Sequence, residues 1–94
     1  MSKNFKLNKN DVNAEDLKKL GRTVEEINEL VESIVNYCET CGTIRYITPS
    51  VEEGRIYINI DTKFNLKALA YNLSERTGLK YRTNKKFKSV ALLL

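Results

Sequence analysis

Two groupings in this chain have residue types and spacing suited to chemistry. The first is Cys38-Glu39-Thr40-Cys41-Gly42, a C-x-x-C turn of the kind in which two thiolates reach one metal. A closed structural zinc site needs four ligands. The chain holds 2 cysteines and 0 histidines, so zinc would require a site shared between two copies. A redox pair gains its acidic thiol by opening a helix, whereas this motif closes one, beside a negative helix end and Glu39. We therefore expect Cys38 to be a core residue at helical spacing, Cys41 to fill a small gap, and no metal or cofactor to be bound.

The second grouping is cationic. Lys80, Arg82, Lys85, Lys86 and Lys88 fall within residues 79–94, where there is no acid. Lys80 and Arg82 are two apart and share a strand face, while Lys85 and Lys86 crown a turn. Clustered cations neutralise phosphates and release their counterions. Arg45 and Tyr57 are expected on the same sheet face, and a sheet that displays cations and an aromatic ring can stack a base while holding its backbone. The competing reading is a solvated basic edge whose lysines prevent strand-to-strand pairing between molecules.

A third set points to protein partners instead. Glu25, Glu29 and Glu32 line one helix face, and Glu29 and Glu32 have no cation at helical spacing on that helix. They are read as a solvated face or as the receptor for a basic partner, with Tyr71 as an exposed interface anchor on another helix. Catalysis draws no support. Without histidine there is no ordinary triad or imidazole base, and no glycine-rich phosphate loop is present. No residue is assigned a catalytic role.

The elements that must position these groups follow from periodicity and punctuation. Residues 1–12 are polar and aperiodic, read as a flexible arm or an edge strand, with residues 13–94 as a single domain. Asn13 can cap a short helix that ends at Gly21. Thr23-Val24-Glu25-Glu26 is a capping box. The helix it opens carries Val24, Ile27, Leu30, Val31, Ile34, Val35 and Cys38 on one stripe. Thr43 to Thr48 reads as a strand stopped by Pro49. Arg55 to Asp61 alternates, with Ile56, Ile58 and Ile60 on one face. Asn65 caps a further helix, with Phe64 expected to pack on Leu69. Gly78 ends that helix, and a last hairpin follows.

The order α-α-β-β-α-β-β predicts a two-layer α+β fold, with two main amphipathic helices on one face of a four-stranded, mainly antiparallel sheet. Gly42-Thr43-Ile44-Arg45-Tyr46 loosely echoes Gly78-Leu79-Lys80-Tyr81-Arg82, so a helix–hairpin pseudo-repeat is considered. Paired helix–hairpin units occur in half of a LAGLIDADG homing endonuclease. That family places an acid before the glycine where this chain has Cys41, and the kinship is rejected.

The chain has 94 residues, enough for one core. Its net charge is +4, unevenly spread, with residues 23–40 holding five glutamates and no base. No apolar run approaches the ~20 residues of a membrane span, and two cysteines without a secretory signal suit the cytoplasm. These features lead to a small non-enzymatic nucleic-acid-binding or regulatory protein acting through its C-terminal basic hairpin. The alternative is a small inhibitor or adaptor that docks through the acidic helix or an apolar sheet face. One further expectation comes from the last strand. If Tyr46 faces the helices with Ile44, then Ile47 faces outward, and Val90 to Leu94 is apolar at every position. Such a strand reads as a central one, or as one with both faces covered; the cover for the outer face is either the N-terminal segment through Phe5, Leu7, Val12, Leu17 and Leu20 or a second copy in a homodimer, and the homodimer is the slightly favoured reading.

Overall fold

The computed structural model describes residues 5–94. The first four residues of the expected N-terminal arm lie outside them. The capping box works as its residues dictate: the Thr23 hydroxyl accepts from the Glu26 N–H at 3.1 Å, and α2 runs over Val24–Cys41. Its apolar stripe buries Val24, Ile27, Val31, Ile34 and Cys38. α1 spans Ala14–Leu20, capped by the Asn13 side chain. α3 spans Leu66–Thr77, where the Asn65 side chain accepts from the Lys67 N–H.

Four strands, β1 (Gly42–Ser50), β2 (Arg55–Thr62), β3 (Lys80–Asn84) and β4 (Ser89–Leu93), form one sheet in the order β1-β2-β4-β3. Every pairing is antiparallel. α2 packs on β1 and β2, α3 on β3 and β4, and the helices touch each other. The Arg76 guanidinium lies 5.4 Å from the centre of the Tyr37 ring across that helix–helix seam. The fold is thus two-layered α+β, and its order is the one that two helix–hairpin units give when a twofold axis passes between β2 and β4. The core lies between the layers. Ile27, Ile34, Ile56, Leu73 and Leu92 are fully buried there, each contributing about 1.5–3 kcal/mol through the apolar surface it removes from water.

Three local expectations are corrected. Pro49 does not stop β1, which continues to Ser50. β1 is an edge strand, the place in a sheet where proline is tolerated because half of the N–H groups face away from the ladder. The hairpin loop, read from the sequence as about six residues, accordingly shortens to residues 51–54, with Gly54 in the left-handed region at φ 68. Phe64, expected to pack on Leu69, stays 58% exposed and lines a shared hollow with it.

The largest correction concerns which side chains of β1 face inward. Ile44 lies opposite Ile60, yet Tyr46 lies opposite Asn59, with Arg45 as the additional residue between them. A bulge of one residue reverses every inward and outward position beyond it. Ile47 is therefore the buried residue, 2% exposed, and Tyr46 the outward one, at 38%. The exchange is physically sensible, because Ile has no polar atom to lose and the Tyr hydroxyl stays wet.

The last strand is a central one, the first of the two readings its apolar run allows. β4 comes last in the chain but sits in the middle of the sheet. Val90 and Leu92 face the helices and are fully buried, whereas Ala91 and Leu93 face outward between the side chains of β2 and β3. Apolar side chains therefore stand on both faces of this strand, as its unbroken apolar run requires in either register.

The described part of the N-terminal segment does not lie over that outer face. A 3-10 turn at Lys9–Asp11 leads into α1, and the edge strand considered for this arm does not form over residues 5–12. The arm runs along α2 instead. The Asn28 amide grips the Leu7 backbone twice, its Oδ1 accepting from Leu7 N–H at 2.7 Å and its Nδ2 donating to Leu7 C=O at 3.1 Å. Leu7, Val12, Leu17 and Leu20 pack against the edge of the core. Asn28→Ala is expected to lower stability by about 1–2 kcal/mol, two modest hydrogen bonds. It should also leave the Leu7 amide unprotected in hydrogen exchange while the core amides stay protected. Unchanged protection at Leu7 would show that the apolar contacts alone hold the arm.

Candidate nucleic-acid interface

Because both helices cover one face, the other face of the sheet is defined by strand parity. β2 projects Arg55, Tyr57, Asn59 and Asp61 outward, β4 projects Ala91 and Leu93, β3 projects Lys80, Arg82 and Asn84, and β1 projects Tyr46 and Thr48. The pairings set these side chains in rows. One row reads Thr48, Tyr57, Ala91, Arg82, and the next reads Ser50, Arg55, Leu93, Lys80. Cations thus flank an apolar and aromatic middle.

The charges on this face are largely uncommitted. Arg45, at the bulge, lies 3.9 Å from Asp61, an exposed pair worth little in itself. Among the described residues, Arg55, Lys80 and Arg82 have no carboxylate within ion-pair distance. Tyr57 is half-buried and Tyr46 exposed, so two phenol rings stand on adjacent strands.

The cations of the basic hairpin fall in more than one place. Lys80 and Arg82 face outward with Arg55 and Tyr57, as their two-residue spacing predicts. Lys85 and Lys88 instead flank a separate hollow of about 320 Å³ at the start of α3, lined by Ile60, Thr62, Phe64, Leu66 and Leu69. Lys86 lies over the Phe87 ring, 5.7 Å from its centre. The turn itself is rigidly made. The Asn84 Oδ1 accepts from the Lys86 and Phe87 N–H groups, the buried Asn59 amide donates to the Phe87 carbonyl at 2.9 Å, and Lys88 adopts φ 51.

Reasoning from sequence missed two residues of this face. Arg55 carried a usable signal, since it has the same parity as Tyr57 two positions away. Tyr46 carried none, because nothing in the residues of β1 announces the bulge that turns it outward.

The acidic helix face is engaged within the chain. Lys6 lies 3.6 Å from Glu32. Lys9 donates a hydrogen bond to Glu25 and holds that carboxyl below the usual range. The arm therefore supplies the cations that α2 lacks, and Glu29 stays exposed. Tyr71 is an exposed residue of α3, its phenol held protonated chiefly by a hydrogen bond to Glu75 one turn on.

The two cysteines are free thiols at the end of α2, one buried and one half-buried. Burial pushes the Cys38 thiol up to about 12, with the neighbouring Cys41 adding to the shift. Among the described residues no group of three or more potential ligands gathers around them. Cys38 is a core side chain, as the helical spacing indicates. Alkylation by iodoacetamide at pH 8 is therefore expected to modify Cys41 first and Cys38 only on unfolding. Equal rates at the two thiols would contradict the burial. The linkage has a definite sign. Unfolding frees a thiol with the ordinary value of 9.0, so the stability conferred by the Cys38 proton is intact below that pH and is lost as pH rises toward about 12.

Among the described residues, no helix is long and apolar enough to cross a membrane. Comparison with protein-family models, with characterised proteins and with solved structures finds no match.

Proposed function

We propose that this is a non-enzymatic nucleic-acid-binding protein whose contact surface is the open face of the sheet. One observation carries the reading: among the described residues, Arg55, Lys80 and Arg82 have no carboxylate partner, on a face that also presents Tyr46 and Tyr57. Cations alone would suit any anion. Cations interleaved with aromatic rings suit a polymer that repeats phosphates and bases. The role is regulatory or protective rather than chemical, since the face offers no histidine, thiol or paired carboxylate. The reading includes a cytoplasmic location, which suits two free thiols. The rival reading, an adaptor that docks through the acidic helix, has less to stand on because the arm already occupies Glu25 and Glu32.

A mobility-shift titration tests the proposal. Labelled oligonucleotides should bind, with an affinity that falls steeply between about 50 and 200 mM salt, as counterion release requires. No binding at the lower salt, or binding indifferent to salt, would remove the reading.

A further inference from the structure

The centre of the open face is a trough, and one small residue makes it. Ala91 lies on β4 opposite Tyr57 of β2 on one side and Arg82 of β3 on the other. A methyl group there leaves the middle of the row low between a phenol ring and a guanidinium. Together with Arg55, Asn84 and Ser89 these residues bound a hollow of about 200 Å³, roughly seven water volumes at ~30 Å³ each. Its floor is apolar. One end carries an amide and a hydroxyl, and Asn84 uses its oxygen on the turn, which leaves the amide NH₂ to donate.

Resting on the nucleic-acid reading above, we infer that the ligand is single-stranded and that this trough receives one of its bases. The base lies against Tyr57 and Arg82, while Arg55 and Lys80 hold the flanking phosphates. The reason is the kind of surface on offer. In a duplex the base faces are covered by their stacked neighbours, so a protein meets phosphates and groove edges. Phosphates are served by cations and need neither a half-buried tyrosine nor a depression beside it. An unstacked base presents its bare face, which aromatic rings and guanidinium planes accept in place of the lost neighbour. A second such surface is close by. Tyr46 is diagonal to Tyr57 across the β1–β2 pair, a separation of about 7–8 Å, so an adjoining base has a ring of its own.

The test compares oligothymidylate, oligouridylate and a mixed-sequence duplex of equal length at one salt concentration. It uses the full chain and the variants Tyr57→Ala, Tyr57→Phe and Ala91→Leu, with circular dichroism confirming that each is folded. The expected result is single-strand binding at least about tenfold tighter than duplex binding. Tyr57→Ala and Ala91→Leu should each weaken it about tenfold, the scale of one lost stacking contact, without changing the slope of affinity against salt. Tyr57→Phe keeps the ring and should keep the affinity. Ala91→Leu fills the trough and alters no charge, so its effect separates a base slot from a merely cationic surface; Tyr57→Ala answers the same question if Ala91→Leu fails to fold. Duplex binding as tight as single-strand binding, or neutrality of both Tyr57→Ala and Ala91→Leu, overturns this inference and leaves nucleic-acid binding standing. Failure of all three probes to bind removes both.

Discussion

Arg55→Glu, Lys80→Glu and Arg82→Glu combined are expected to weaken oligonucleotide binding by at least about a hundredfold at moderate salt. Each charge-assisted contact to a phosphate is worth on the order of 1.5 kcal/mol or more, and reversal replaces attraction by repulsion. The slope of log affinity against log salt should become shallower by about 1.4, because the two phosphate contacts of Arg55 and Lys80 on a single strand are lost at roughly 0.7 each. The comparison that gives this measurement its meaning is the matching triple reversal at Lys85, Lys86 and Lys88. Those cations are equally numerous and closer together in sequence, but Lys85 and Lys88 flank a different hollow and Lys86 lies over Phe87. Their reversal should cost less than about tenfold, through long-range field alone. All six positions are exposed or half-buried, so both variants should fold normally. A larger loss from the turn than from the sheet would move the site from the open face to the hairpin tip.

Gly42→Ala is expected to destabilise the fold by about 3 kcal/mol, the upper part of the usual range for forced overpacking. For a chain of this length that corresponds to a melting temperature lower by roughly 10–20 °C. Gly42 joins α2 directly to β1, with its N–H bonded to the Cys38 carbonyl. Its φ of 166 is extended backbone that any residue adopts, so conformational freedom is not the reason for glycine. The reason is proximity: a Cβ would sit 2.0 Å from the Asp61 carbonyl oxygen, and that atom belongs to the facing strand rather than to a side chain able to swing away. Thr62 tightens the same junction by donating its hydroxyl to the Cys41 carbonyl at 2.7 Å. Gly78 is the control. It sits at φ 74 with open space around it, so Gly78→Ala meets only the left-handed backbone penalty of about 1–2 kcal/mol. Thermal unfolding of the two variants side by side distinguishes the mechanisms. A smaller loss at Gly42 than at Gly78 would mean that the helix–strand junction can open without cost.

The helices were legible residue by residue. Thr23, Asn13 and Asn65 cap where their side chains predict, and the stripe from Val24 to Cys38 is the buried one, because capping and the 3.6-residue period are local consequences of side-chain chemistry. The alternation of β2 was equally plain, since Ile56, Ile58 and Ile60 recur every second residue. β1 defeated the same rule. Its sequence Ile44-Arg45-Tyr46-Ile47 fits strict alternation with Tyr46 inward, and it also fits a bulge at Arg45. The choice is made by which arrangement buries Ile47 against α2, an interaction with a partner distant in the chain.

The candidate site divides along the same line. By itself the sequence determined that this protein carries a capped acidic helix, two hairpins, a cysteine pair with no histidine beside it, and a cationic C-terminal segment, because composition and short-range spacing are properties of the chain alone. Tertiary structure decided what those parts amount to. The pairing of β2 with β4 puts the last strand in the middle of the sheet, so its apolar run became core on one side and the floor of a trough on the other. The lysines of the arm met the glutamates of α2, twenty or so residues away, and occupied the face that had looked ready for a partner. Arg55 and Tyr46 joined Lys80, Arg82 and Tyr57 across four strands. Each of these outcomes depends on strand order, register or a single bulge, and those are set by long-range burial, which no local pattern of residues encodes.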